Sequence, residues 1–336
     1  MSKKSEAWPG QATRCVEEQY KWRHEMGLIC EQTLDTARRR LSLYVEPFLN
    51  SGSGASPDER RIIEFVDGLY GKGLSSPTCK QILFLTKRVV EQAKRKGLLL
   101  SSHESICPQN FIRQESVPRG GFRLAEYRRL VAAARAMSST TAGFPERPFA
   151  RSSELPAELP LLIRFMVNSF VRPSDLKNIC HRHVEIVRGA QTYLRLMLPE
   201  SKAHTGVVVT LRPAVRVYEL LKKIADMRGL NDPNTPVFYP YLGDRKTAMM
   251  AMDHHFRRVL EKAGLRHGER GQTRTLYSLR HTAITFRLLY GEGIDLLTLA
   301  KNARTSVQMI ERFYASELTP EMNVALIQSR RRAMRN

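Results

Sequence analysis

Residues 276–286, LYSLRHTAITF, read as a helix that is apolar along most of its length and carries a cation in its middle. Leu279, Ala283, Ile284 and Phe286 imply substantial burial of the segment. A buried guanidinium without a partner is costly, because its charge gives up water and gains nothing in exchange. Arg280 therefore calls for a partner, either a carboxylate of this chain such as Asp175 or the phosphate of a ligand. Tyr277 precedes Arg280 by about one helical turn and can point its hydroxyl the same way.

Three other stretches carry similar chemistry. In FVRPSDL (170–176), Pro173 suits the first position of a helix and Asp175 its first turn, so Arg172 would stand beside the positive helix end. Backbone N–H groups and a guanidinium together make an anion pocket there; alternatively, Arg172 pairs with a nearby acid and fixes the helix start. SKAHTG (201–206) places Lys202 in a tight connection between two strands, where it can reach a ligand or stay solvated. In RTSVQMIERFY (304–314), Val307, Ile310 and Tyr314 recur at helical spacing, and Thr305 or Ser306 can cap that helix. Tyr314 is then either a packed core tyrosine or a reactive one, and Thr305 either a cap or a substrate contact.

The charge narrows the partner. The chain has 336 residues and a formal net charge of +21, with a pI near 10.1. Residues 1–110 contribute 17 basic and 13 acidic side chains, and residues 111–336 contribute 37 and 20. A basic excess concentrated in one part favours a polyanion, through phosphate neutralisation and counterion release. Nucleic acid is the partner this suggests, the other reading being that the charge serves solubility alone. LPLLIRFMV is interrupted by Arg164 and falls short of the ~20 residues of a membrane span, so no membrane partner is expected. The five cysteines are scattered and odd in number, which speaks against a disulfide framework and for a reducing compartment. The opening MSKKSEAWPG carries charge with no apolar run behind it, so a cytoplasmic, DNA-associated protein is expected.

The pattern along the chain is mainly helical. Residues 1–30 are polar and read as an N-terminal arm or a first helix. Helices are expected over 31–49, 58–71 and 77–97, the last with Pro77 near its start and Gly97 just beyond its basic final turn. They would make a small helical domain over 31–106. CPQNFIRQESVPRGG (107–121) lacks periodicity and reads as a linker. A second domain, 122–317, opens with a helix over 122–137, followed by the apolar LPLLIRFMVNSF. Three β-like runs, 183–187, 192–198 and 206–211, are separated by a turn at Gly189 and by PESKAHT (199–205). Helices follow at 213–228, 247–263, 279–291, 294–302 and 307–314. The fold class expected is thus mainly α, a helical domain followed by a mostly helical one around a small antiparallel sheet. Residues 318–336 form a basic tail with Met322 and Leu326 on an apolar stripe.

In order along the chain, VRPSDL, SK at the hairpin, YSLRHT and TSVQMIERFY resemble the tyrosine recombinases of the phage integrase type. The resemblance covers about 122–320 through specific motifs and 31–105 more loosely, as that family's core DNA-binding domain. It implies that Arg172 and Arg280 clamp the scissile phosphate and that Lys202 is the general acid for the leaving 5′-oxygen. It further implies that Tyr314 is the nucleophile, that Asp175 braces the site and that His281 supports it. Tyr277 and Thr305 stand where the family most often has histidine, or histidine or tryptophan; both keep a hydroxyl that can donate to a phosphate oxygen. The general base stays unassigned. The resemblance also implies double-stranded DNA as the partner and a homotetramer on two DNA sites, with the two domains clamping the duplex.

The chemistry suits these residues. Attack on a phosphodiester builds negative charge on the phosphoryl oxygens, and two arginine forks offer bidentate donors where it grows. No metal or other cofactor is expected: the sequence has no acidic cluster for Mg²⁺ and no His/Cys spacing for Zn²⁺, His254, His255, His181 and His183 being poorly spaced. A free tyrosine ionises near pH ~10, and neighbouring guanidinium groups favour the phenolate. A phosphotyrosyl link conserves the energy of the broken bond, so resealing needs no ATP. The expected activity is site-specific strand exchange. A type IB topoisomerase-like nicking and resealing enzyme, or a DNA-binding relative whose catalysis has decayed, would carry much of the same pattern.

Overall fold

In the computed structural model the described residues are 8–52, 56–99, 111, 120–138, 149, 154–199, 206–269, 271–291 and 293–314. The chain divides into two compact units, Met1–Ser116 and Val117–Asn336. The described part of the first unit is helical: α1 (Trp8–Glu25), α2 (Glu31–Arg40), α3 (Glu46–Asn50), α4 (Glu59–Gly71) and α5 (Ser76–Arg95). The helix expected over 31–49 is present with a widened π turn at Leu41–Val45, where the Glu46 N–H reaches back to the Leu41 carbonyl. Pro47 accounts for it. It has no N–H for the Leu43 carbonyl and its ring crowds that group, so the helix loosens just ahead of it.

The ends of α4 and α5 follow their sequence signals. The Asp58 carboxylate accepts from the Arg61 N–H at 2.9 Å. Gly97, at φ +68°, closes α5, with the Leu98 N–H donating to the Ala93 carbonyl. Ala12 and Val16 of α1 are fully buried in one apolar cluster with Val45 and Leu49, Ile62 and Val66, and Ile82 and Leu83. Reading 1–30 as an arm is therefore corrected for residues 8–25: their small apolar face completes the core of this unit, which begins before residue 31. Of the expected linker, only Phe111, Gly120 and Gly121 lie among the described residues.

The second unit contains α6 (Leu124–Met137), α7 (Glu158–Ser169), α8 (Pro173–Asn178), β1 (Val184–Val187), β2 (Tyr193–Leu196), β3 (Val208–Val209), α9 (Pro213–Met227), α10 (Arg245–Lys262), α11 (Leu276–Tyr290), α12 (Leu296–Asn302) and α13 (Val307–Tyr314). The sheet is antiparallel in the order β1-β2-β3. All three strands are shorter than their sequence runs, and β3 has a local cause. The Leu194 N–H donates to the Thr210 hydroxyl at 3.0 Å, so the side chain takes up a donor of the backbone ladder. The open edge of β3 is covered by one amide: the Val209 N–H donates to Asn302 Oδ1 at 2.8 Å, and Asn302 Nδ2 donates to the Val209 carbonyl at 2.9 Å. The sheet is thereby fastened to the end of α12.

Two apolar clusters share the second unit. The larger contains Leu162, Phe165 and Met166 of α7, Leu194 and Leu196 of β2, Phe256 of α10, and Leu276 and Leu279 of α11. The smaller contains Phe170, Ala283, Ile284, Leu299, Ala303 and Ile310. Chain neighbours divide between them: Phe170 belongs to the small cluster and Val171 to the large one, as do Ala283 and Leu279. Arg172 and Arg280 stand where the chain crosses from one to the other. Among the described residues no helix is long and apolar enough to cross a membrane.

Candidate active site

Arg172 is placed by the start of α8. Its backbone is extended, with φ −79° and ψ 154°, and its N–H donates to Asp175 Oδ2 at 2.8 Å. A carboxylate three residues into a helix reaches back in this way to secure the entry, and Pro173 presets the first helical φ. The far end of α8 is held by Arg245, whose Nε donates to the Lys177 carbonyl at 2.8 Å, while its terminal nitrogens serve the carbonyls of Phe238, Tyr239 and Leu242. Burial draws the Arg245 pKa below its ordinary value, yet arginine starts so far above neutrality that the charge persists.

Arg280 is buried in α11 as its apolar surroundings imply. Its Nη1 donates to the carbonyl of Phe170 and its Nη2 to that of Ala303. Arg172 Nη2 donates to the carbonyl of Arg304. Two arginines more than a hundred residues apart in sequence thus dock on consecutive carbonyls of one turn, between α12 and α13. The other terminal nitrogen of Arg172, Nη1, is buried and has no hydrogen-bond partner among the described residues.

That turn has a definite architecture. The Arg304 N–H donates to the Lys301 carbonyl at 3.0 Å and the Thr305 N–H to the Ala300 carbonyl at 2.9 Å. This is the paired closure of a helix whose next residue is left-handed, and Arg304 has φ +52°. Ser306, rather than Thr305, caps α13: its Oγ accepts from the Met309 N–H at 3.2 Å. Thr305 is half-buried. Asp175, offered above as a partner for Arg280, has its Oδ1 3.7 Å from Arg304 Nη1, and both side chains are buried.

Tyr277 is half-buried on α11, and its ring meets the buried His281 edge-on at 5.0 Å. Ile310 is buried and Val307 packs against the same cluster, which seats α13. Lys202 and the side chain of Tyr314 lie outside the described residues. Arg172, Asp175 and Arg280 are brought together, with Tyr277 and His281 on the helix that carries Arg280 and Thr305 adjoining the shared turn. Arg304, Asn302 and Arg245 were not anticipated. Arg304 heads the quoted stretch 304–314, and the available signal was a helix ending at Asn302 with no glycine behind it. The histidines set aside as metal ligands have local partners: the Tyr239 hydroxyl and His255 Nδ1 are 2.8 Å apart, the Tyr218 hydroxyl and His181 Nδ1 3.1 Å.

No family model and no curated protein matches this chain. Solved structures do. A lambda integrase dimer bound to a COC′ core site matches with a TM-score of 0.64 at 16% identity, covering 91% of this chain and 76% of that one. XerH site-specific recombinase, in a post-cleavage complex with a palindromic difH substrate, matches with a TM-score of 0.64 at 16% identity, covering 96% and 95%. The fold is that of the tyrosine recombinases. The integrase of transposon Tn1549, in complex with transposon right-end DNA, matches with a TM-score of 0.60 at 15% identity, covering 93% and 98%. At these identities the likeness is one of fold.

Proposed function

We propose that this protein is a site-specific DNA recombinase that cuts and rejoins strands through a 3′-phosphotyrosyl intermediate, acting as a homotetramer on two DNA sites. The Tyr314 phenol loses its proton to solvent and attacks the scissile phosphorus, the bond to the 5′-oxygen breaks, and that oxygen leaves with a proton supplied by Lys202. A 5′-hydroxyl from another strand then attacks the phosphotyrosine and returns its proton to Lys202; the phenolate leaves, is reprotonated by solvent, and the backbone is resealed. Arg172 and Arg280 offer donors to the oxygens on which charge grows, and Tyr277 and Thr305 contribute hydroxyls to the same phosphate. Asp175 holds the entry to α8, and His281 packs beneath Tyr277. In this reading the guanidinium groups supply the positive charge, with neither metal nor nucleotide required.

The observation that carries the reading is the docking of Arg172 and Arg280 on the consecutive carbonyls of Arg304 and Ala303. The turn so clamped leads directly into α13, the helix whose last residue is Tyr314. The net charge of +21 supports a phosphodiester as the anion. The test is covalent capture from a pool of nicked duplexes of randomised sequence. A denaturant-resistant protein–DNA adduct, abolished in Tyr314→Phe, is expected, and sequencing the captured DNA would give the site. DNA binding with no adduct would instead mark a decayed relative. Relaxation of supercoils without joining two sites would mark a topoisomerase-like enzyme.

A further inference from the structure

Arg304 occupies a position that its backbone disfavours. The residue following a helix closure of this kind is left-handed and is usually glycine, because a Cβ there crowds the backbone. A buried arginine at φ +52° must therefore gain something from its side chain. Its Nη1 lies 3.7 Å from Asp175 Oδ1, and its Nη2 donates to the Pro199 carbonyl at 3.3 Å, just past β2. Its own carbonyl receives Arg172. One residue thus joins the exit of β2, the start of α8 and the turn before α13, and it holds Arg172 twice: directly through its carbonyl, and indirectly through Asp175, which accepts the Arg172 N–H.

We propose that Arg304 is a positioning residue for strand cleavage: its guanidinium fixes Asp175, and through Asp175 and its own carbonyl it sets the fork of Arg172 against the scissile phosphate. This rests on the strand-cleavage reading above. Removing the side chain would loosen the Asp175 carboxylate at the start of α8, and a small displacement of a reacting group is expensive in rate while costing little in binding.

Arg304→Gly isolates the side chain, since glycine suits φ +52° and preserves the turn and its carbonyl. In single-turnover cleavage of a nicked duplex, Arg304→Gly is expected to slow adduct formation by about 100-fold, the scale set by an ångström of misplacement. Duplex affinity should stay at the wild-type value, which separates positioning from binding. Arg304→Lys should recover part of the rate. The double variant Arg304→Gly/Asp175→Asn should be no slower than Arg304→Gly, because the two residues act as one unit. A wild-type rate in Arg304→Gly, or losses that multiply in the double variant, would overturn the inference. If the wild-type protein forms no adduct, the cleavage reading fails. The Arg304–Asp175 coupling is then judged from unfolding midpoints of the wild type, Arg304→Gly, Asp175→Asn and the double variant, where additive shifts would reject it.

Discussion

Arg280→Lys keeps the positive charge and discards the fork, and the structure gives the cost. The two terminal nitrogens of Arg280 serve two different carbonyls, those of Phe170 at the end of α7 and of Ala303 at the end of α12. A single ammonium on a flexible stem can hold one of them well. The other becomes a buried acceptor with its donor removed, a loss of about 1–3 kcal/mol. For a folding unit of this size each kcal/mol moves the midpoint by roughly 2–4 °C, so the DNA-free protein should melt about 2–12 °C lower. Removing a planar donor aimed at developing charge should also slow cleavage by about 10²–10³-fold. Calorimetry without DNA, and single-turnover adduct formation with it, measure the two effects separately. Retention of the wild-type midpoint within about 1 °C would refute the idea that these carbonyls anchor the guanidinium.

Three further outcomes follow from other contacts. Ile310→Ala removes a buried side chain from the small cluster that seats α13, and should cost about 2–5 kcal/mol in denaturant titration and lower adduct yield. Arg228→Met leaves the carboxylate of Glu158 buried without its cation, both side chains being about 4% exposed or less. It should lose about 3–5 kcal/mol, most of it regained in Arg228→Met/Glu158→Met. His181 has its pKa lowered by burial and by Lys222, and His183 by burial and by Arg182. Both then protonate more readily unfolded than folded, so their contribution is complete above about pH 6.5 and is lost as the pH falls towards their folded values. The unfolding midpoint should drop as the pH falls below about 6.5, and His181→Asn should flatten that drop.

Much of the helical fold was legible because the chain punctuates itself. Asp58, Pro77, Gly97 and Pro173 bound helices where their side chains or fixed φ require it. Arg280 announced itself as a cation among apolar neighbours, and Arg172 as the residue ahead of a proline and a first-turn acid. The strand lengths were not legible, since β3 is cut short by a threonine hydroxyl that replaces a ladder bond. The π turn at 41–45 depends on how the helix accommodates Pro47, and the sequence shows only that a proline is there. Least legible were the acceptors. Phe170, Tyr239 and Arg304 are the non-glycine residues of positive φ among those described. Each presents its carbonyl to an arginine: Phe170 to Arg280, Tyr239 to Arg245 and Arg304 to Arg172. No residue type advertises a backbone carbonyl, and none of the three is the glycine that would have marked a left-handed turn.

These carbonyls answer the question raised by a cation inside an apolar helix. Arg280 was expected to need a carboxylate or a phosphate. A carboxylate stabilises a guanidinium by cancelling its charge, and a guanidinium so neutralised has less to offer a second anion. The carbonyls of Phe170 and Ala303 do something different: their dipoles orient the fork and satisfy part of its donor capacity without themselves cancelling its charge. The carboxylate at the turn, Asp175, is directed to the Arg172 backbone and to Arg304. Left-handed strain at Phe170 and Arg304 is the cost of aiming those carbonyls inward, of the order of 1–3 kcal/mol at each. It is offset by burial of the same residues in the small cluster and the ion pair. Stability and charge presentation are thus built from the same contacts, which is why a conservative change at Arg280 should lower both the melting temperature and the rate.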